Sequence, residues 1–225
     1  MFLASEDRDS KERRNRRRDA TFATVSERLS RASFDLQPVL RGEILWLRPL
    51  RLEDFLDLYA VACDPLIWEQ HPVPDRYQKE VFEGFFREAM HSGGALIALD
   101  SRDDRVIGSS RFLGYNPDGS EIEIGYTFLS RSHWGGVYNR EMKRLMLGHA
   151  FRFVENVVFL VGPQNLRSQK AMEKIGGVRA GERKNQIGRN NLVYLITRQS
   201  FVQRGSRMVD RVSRAPMTKT QSNGS

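Results

Sequence analysis

Between residues 44 and 197 the spacing of apolar side chains changes period repeatedly, and each change marks an element. Ile44-Leu45-Trp46-Leu47-Arg48-Pro49-Leu50 predicts a strand that ends at its proline. Leu52, Phe55, Leu56, Tyr59 and Ala60 recur at helical spacing, with Glu53 and Asp54 in the first turn, where the helix dipole favours acid. This helix is expected to stop near Asp64-Pro65, because a residue before proline avoids the α region. After the loop Trp68-Glu69-Gln70-His71-Pro72-Val73-Pro74, a second helix is marked by Tyr77, Val81, Phe82, Phe85, Phe86 and Ala89 and closed by Ser92-Gly93-Gly94. Strand-like runs follow over 95–99, 105–115 and 121–129, with Asn116-Pro117-Asp118-Gly119 as the hairpin turn between the last two. A third helix is predicted over 139–154, a buried strand over 157–161, a short helix over 166–175 closed by Gly176-Gly177, and a last strand over 191–197. Elements in this order predict an α/β (α+β) fold, a mixed sheet with helices on both faces.

The flanks differ from this middle. Residues 1–41 carry ten basic and seven acidic side chains, 202–225 carry five and one, and the stretch between carries twenty-one and twenty. The net charge of +8 therefore sits in the flanks, and the folded part is nearly neutral. Residues 1–35, with the run Glu12-Arg13-Arg14-Asn15-Arg16-Arg17-Arg18 and a helical patch over 25–29, read as a basic extension, disordered or partly helical. Residues 36–202 read as one domain, and 203–225 as a basic disordered tail. A near-neutral domain is not built to grip a phosphate backbone, which restricts any nucleic-acid contact to the flanks.

Other classes are excluded on composition. No run approaches the roughly 20 apolar residues of a membrane helix, and the opening Met1-Phe2-Leu3-Ala4-Ser5-Glu6-Asp7 turns acidic before a signal-like stretch can form. The single cysteine, Cys63, allows no internal disulfide and is expected to serve packing. A cytoplasmic protein is therefore expected, and a homodimer is compatible with everything above. The four histidines are scattered and no acidic cluster has ligand spacing, so no metal site is expected.

Chemistry concentrates after the 121–129 strand. Ser130–His133 leads into Trp134-Gly135-Gly136-Val137-Tyr138-Asn139 and then a helix. A strand running through a glycine pair into a helix start can bind phosphate, because first-turn amides point outward and glycines let the backbone approach. A plain turn with Asn139 as helix cap explains the same residues, and neither common nucleotide fingerprint is present. After the next strand comes Asn165-Leu166-Arg167-Ser168-Gln169-Lys170-Ala171-Met172-Glu173-Lys174-Ile175-Gly176-Gly177.

Over about residues 41–201 this ordered combination resembles the GNAT superfamily of acetyl-CoA-dependent N-acetyltransferases. The opening Leu47-Arg48-Pro49-Leu50 and the strand Glu123-Ile124-Gly125-Tyr126 are most similar to its Rim-type branch, which acetylates the N-termini of ribosomal proteins. The resemblance implies the GNAT fold, with a mostly antiparallel sheet, and transfer of acetyl from acetyl-CoA to a primary amine, of a protein N-terminus or a small molecule. It implies that backbone groups at Phe128 and Leu129 hold the pantetheine arm, that Trp134, Gly135, Gly136, Val137, Tyr138 and Asn139 hold the pyrophosphate, and that Asn165 and Ser168 lie near the arm and the sulfur. Asn165 as a helix cap and Ser168 as a first-turn residue account for the same pair without a ligand.

An acceptor ammonium must lose a proton before it attacks. Alternation puts Glu121, Glu123, Gly125 and Thr127 on one face of the strand and Ile122, Ile124, Tyr126 and Phe128 on the other. Glu123 is the candidate base; pairing with a nearby arginine is the plainer role for it. A strand bulge would open a backbone amide to the thioester carbonyl. Trp68, Glu69 and His71, with the segment 181–191, are expected to form the acceptor walls, although His71 beside two prolines also fits an ordinary surface position. Three positions leave the family pattern. Val137 replaces a loop glycine, which predicts a strained turn and weaker cofactor binding, Asn139 stands where the loop has Gly or Ala, and Met172 stands where many members place the tyrosine that protonates the thiolate. Those departures also allow a catalytically weak GNAT-fold module that binds or regulates.

Overall fold

The computed structural model describes residues 33–185 and 188–213, with side chains to residue 205. The extension predicted over 1–35, its helical patch over 25–29 included, lies outside the described residues as far as residue 32, and so does the tail beyond residue 213. One compact unit runs from Asp35 onward.

Eight strands form one sheet in the order β1-β2-β3-β4-β5-β6-β8-β7. They are β1 (Leu40–Arg41), β2 (Leu45–Pro49), β3 (Ala95–Asp100), β4 (Val106–Asn116), β5 (Glu121–Leu129), β6 (Asn156–Val161), β7 (Val178–Lys184) and β8 (Asn190–Thr197). Every neighbouring pair is antiparallel except β5 and β6. The helices are α1 (Phe55–Ala62), α2 (Pro65–Trp68), α3 (Lys79–His91), α4 (Val137–Ala150), α5 (Leu166–Ile175) and α6 (Arg198–Ser213). The expected sheet with helices on both faces is present.

Two apolar layers hold it. On one face Leu58, Ile67, Trp68, Phe82, Phe85 and Phe86 pack on Ile97, Leu99 and Phe128. On the other, α4 buries Met142, Met146, Leu147 and Ala150 and packs across β1, β2 and β5. Local sequence sets the short pieces. Asp64 caps α2 by accepting from the Leu66 N–H at 3.0 Å, and Pro65 starts it where a missing N–H costs nothing. The chain thus resumes a helical turn at the proline where the first helix was expected to end.

Four differences have local causes. The strand β7 is exposed along its whole length and shows no apolar alternation, so only its pairing with β8 reveals it. The two-residue β1 is too short for any period. The helix α6 crosses the predicted boundary at 202, because Phe201 packs tilted against Phe151 with ring centres 5.3 Å apart and Arg198 donates to the Val154 carbonyl at 3.0 Å. Cys63, expected in packing, is exposed at the end of α1. Among the described residues no helix is long and apolar enough to cross a membrane, and no group of side chains has the spacing to hold a metal ion.

Candidate active site

The two central parallel strands touch only briefly. β5 pairs β6 at Glu121↔Asn156, Ile122↔Val157 and Glu123↔Val158, and nowhere further along. Past Glu123, β5 stays with β4 as far as Leu129, while β6 stays with β8 as far as Val161. The sheet therefore splits, and the 124–129 stretch of β5 turns an edge without a strand partner toward the gap.

A bulge sits at the mouth of this gap. Arg111 pairs with Gly125 and Ser109 with Phe128, so β5 carries one extra residue there. Tyr126 takes it up with φ 52°, a left-handed conformation that a tyrosine seldom adopts. This corrects the alternation read from the sequence. Tyr126 and Phe128 both reach Phe85 of α3, on the same face as Glu123 and Gly125, whereas Thr127 meets Lys143 of α4 on the opposite face with Ile122 and Ile124. One inserted residue reverses the parity of everything after it.

The loop after β5 enters α4 through Gly135 (φ 101°) and Gly136 (φ 110°), both in backbone that L side chains rarely adopt. A Cβ at either glycine would meet nothing within 4 Å, so open space lies in front of the turn. The first intrahelical bond runs from the Arg140 N–H to the Gly136 carbonyl, which leaves the Val137, Tyr138 and Asn139 amides free of the helix ladder. Such a cradle fits a pyrophosphate. Side chains anchor it from behind: the Tyr138 hydroxyl donates to Asp100 at 3.0 Å and the Trp134 indole to the Leu129 carbonyl at 3.0 Å. Asp100 also holds Arg102 and His133, and these bonds keep its carboxyl well below the usual range.

Val137 is a correction. The expected strain belongs to Gly135 and Gly136, and Val137 is the first helical residue, 56% exposed. The helix starts there, so Asn139 is not its cap. Gly136→Ala is accordingly expected to weaken acetyl-CoA binding about 5- to 100-fold, the cost of forcing a Cβ into that φ. Val137→Gly is expected not to tighten it, because no strain is relieved and the free loop gains entropy. Calorimetric titration of both variants with acetyl-CoA measures the two effects.

Across the gap, the Asn165 side-chain oxygen accepts from the Ser168 N–H at 3.0 Å and caps α5. The cap uses only the oxygen of the amide, so the nitrogen can still donate to a ligand. Arg167 reaches back over the gap to the Leu66 carbonyl and to Glu69, and its guanidinium lies 4.2 Å from the Trp134 ring centre. Met172 is buried.

Glu123 stands half-buried at the last paired position of β5, before the split. Burial pushes its carboxyl up to about 7, against a pull downward from Arg183. Arg183 itself pairs with Glu121 at 2.8 Å rather than with Glu123.

A family model described as an acetyltransferase (GNAT) domain matches residues 45–178, more than half of the chain. The chain belongs to the GNAT acetyltransferase family. Among solved structures it is similar to an acetyltransferase from Agrobacterium tumefaciens, at 26% identity and a TM-score of 0.58, over 72% of this chain and 95% of the other. The fold also matches a GNAT acetyltransferase from Bacillus anthracis, at 19% identity, TM-score 0.60, over 72% and 99% of the two chains. A third fold match is Mycobacterium smegmatis RimJ in complex with CoA-disulfide, at 16% identity, TM-score 0.60, over 79% and 94%. No curated protein matches the chain. The family uses acetyl-CoA, and the free amides at the start of α4 fit its pyrophosphate.

The expected acceptor walls are placed differently from one another. Trp68 is 2% exposed; it lies in the core against Phe128 and donates its indole N–H to the Ala62 carbonyl at 2.7 Å. Glu69 is exposed and paired with Arg167. His71 turns edge-on to Trp68 and approaches Arg76, and burial pushes its imidazole down to about 3, so it is neutral. The 181–191 segment takes in the end of β7 and the start of β8.

Three buried cations of the acetyltransferase were missed. Arg76 and Arg111 flank Phe85, and Lys143 lies under the gap, donating to Thr127 and 5.4 Å from the Phe159 ring centre. The signal for Arg111 was its charge inside a strand that is otherwise small or apolar, Val106–Leu113. Lys143, between Met142 and Met146, stands on the face of α4 that the helical period buries.

Proposed function

We propose that this acetyltransferase transfers the acetyl group of acetyl-CoA to a primary amine by direct attack on the thioester, with Glu123 as the base. Acetyl-CoA supplies an acyl group already activated as a thioester. Glu123 takes the proton that the attacking ammonium must lose, directly or through one water. A backbone N–H exposed by the Tyr126 bulge polarises the carbonyl as oxyanion charge develops. The new C–N bond forms as the C–S bond breaks, and the sulfur leaves as thiolate. Ser168, at the start of α5, is the candidate donor to that sulfur, since Met172 offers no proton. The resemblance to the Rim-type branch supports a protein N-terminus as one acceptor.

The observation that carries this reading is the place of Glu123. It is a carboxyl at the fork of β5 and β6, beside the bulge, with its proton affinity raised to about 7 by burial. That value suits a base near neutral pH, because it favours proton uptake while half the groups are already ionised.

The test follows release of the CoA thiol with a panel of primary amines across pH. Amine-dependent release is expected, and single-turnover rates should rise through an apparent pKa near 7. The sign follows from the ionised carboxylate being the active form: raising pH populates it, and lowering pH protonates it. Thiol release indifferent to every amine would remove the reading.

A further inference from the structure

Two buried arginines share an aromatic corner next to the proposed base and form no ion pair. Arg76 is 8% exposed and Arg111 is 5% exposed. Among the described residues neither forms an ion pair, and the Arg76 Nε and the Arg111 Nε and Nη2 have no hydrogen-bond partner. Both guanidinium groups lie over aromatic rings. The Arg76 guanidinium lies 4.4 Å from the Phe85 ring centre and 5.1 Å from that of Trp68. The Arg111 guanidinium lies 4.2 Å from the Tyr126 ring centre and 5.5 Å from that of Phe85.

Ring faces hold a guanidinium in place but accept none of its in-plane N–H groups. Burying a cation without an acceptor is costly, and here two like charges share one aromatic ring. Among the described residues three acids act on them at longer range: Glu88 and Asp75, which are exposed, and the proposed base Glu123, which faces Arg111 without forming an ion pair with it. Burial pushes Arg76 down only to about 10, so it remains charged at neutral pH.

His71 adds to the surplus of donors. The Val73 N–H points at its Nδ1 at 3.0 Å, and the Arg76 Nη1 lies 3.2 Å from its Nε2. A neutral imidazole accepts at one nitrogen only, so one of those two donors is left over as well. The corner is rich in donors and poor in acceptors, the reverse of a finished core.

Its position makes the surplus useful. Arg111 pairs with Gly125, and Glu123 is two residues from Gly125 on the same face. Arg111 and Glu123 are thus diagonal neighbours, with Cα atoms about 7–8 Å apart by sheet geometry. A molecule whose amine reaches Glu123 can place a second group, a few bonds away, against the guanidinium edge.

The geometry points to a carboxylate-binding subsite at Arg111 and Arg76, so that the acceptor is an amine carrying its own carboxylate, as an amino acid or a peptide with an acidic first residue does. Arginine suits this role because its planar fork matches a carboxylate with two parallel bonds. The inference rests on the acceptor reading proposed above and adds the class of acceptor to it.

Matched pairs of acceptors test it with the full chain. L-alanine against L-alaninamide asks whether the α-carboxylate is read. A peptide amide beginning with Asp, against its Asn twin, asks whether an acidic side chain is read. In at least one pair the carboxylate member is expected to have kcat/KM about 10²-fold higher, mostly through KM. In Arg111→Gln that ratio should fall toward one, and Arg111→Lys should recover only part of it.

A binding measurement without turnover separates the two readings. N-acetyl-L-alanine or an N-acetyl-aspartyl peptide amide should raise the unfolding temperature of the wild-type chain, while its neutral amide twin should not. Such a shift without any acetyl transfer would uphold the subsite and remove the acceptor reading. Acetyl transfer with both pairs near a ratio of one, or with the neutral twins preferred, would overturn the subsite. The wild-type comparisons decide this even if Arg111→Gln fails to fold.

Discussion

Glu123→Gln is expected to lower single-turnover acetyl transfer on the order of 10²-fold at neutral pH, about 3 kcal/mol of barrier. Glutamine keeps the shape and hydrogen-bonding reach of the side chain but cannot take up a proton. Acetyl-CoA affinity should change little, because the turn proposed to hold the pyrophosphate, Gly135–Asn139, lies beyond the far end of β5 from Glu123. The limb of the pH profile near 7 should disappear with the carboxyl that causes it, leaving only the titration of the acceptor amine. Stability moves the opposite way. A carboxyl whose folded pKa is raised to about 7 binds more protons folded than unfolded between roughly pH 4.3 and 7. It therefore costs stability in full above pH 7 and progressively less as pH falls toward 4.3. Glu123→Gln should raise the unfolding midpoint at pH 8 and lose that advantage near pH 4. Wild-type turnover in the variant, with the pH limb intact, would assign the proton to another group.

Lys143→Met is expected to stabilise the protein by about 2–4 kcal/mol at pH 6–7, roughly 5–15 °C in midpoint. Lys143 is 1% exposed, and among the described residues its ammonium meets the hydroxyls of Thr127 and Ser110 and the Phe159 ring, with no acid. Burial pushes it down to about 7, against about 10.4 in an unfolded chain. Below pH 7 both states carry the proton, and the folded one bears the whole cost of an unpaired buried charge. Between pH 7 and 10 the folded state releases the proton first, so stability rises with pH. Methionine has nearly the same length and joins the buried Met142 and Met146. Its advantage should therefore be largest at acid pH and fade toward pH 10, as differential scanning calorimetry would show. The Thr127 and Ser110 hydroxyls, 2.7 Å apart, satisfy each other once the lysine is gone. A variant less stable than wild type at every pH would mean that the ammonium is a net stabiliser where it stands.

The order of elements was legible because each segment has one buried face and a plain period. The amphipathic run Tyr77–Ala89, the apolar core of β6 and the glycine pair before α4 all read correctly, with boundaries a few residues off. The family resemblance was legible for the same reason, since the glycines, Asn165 and Ser168 are ordered along the chain. β7 was not, because an exposed edge strand has no apolar face to leave a period. The 198–213 helix was hidden by its low apolar content; the contacts of Phe201 and Arg198 supply what the period lacks.

By itself the sequence determined the kind of sheet, the glycine turn into α4 and the candidacy of Glu123, all properties of neighbours along the chain. Only the tertiary structure decided where β5 and β6 part and that Tyr126 reverses the strand's parity, because a bulge is defined by the register of a partner strand. It also placed the turn strain at Gly135 and Gly136 rather than at Val137, because the turn closes one residue before the helix begins. Above all it decided the electrostatics. Arg76, Arg111, Lys143 and Glu123 are ordinary charged letters in a nearly neutral stretch, and water would screen each of them to insignificance. Folding removes that water and brings their environments together from α3, α4, β4, β5 and the loop before α3, and only then do their missing partners become a property of the molecule.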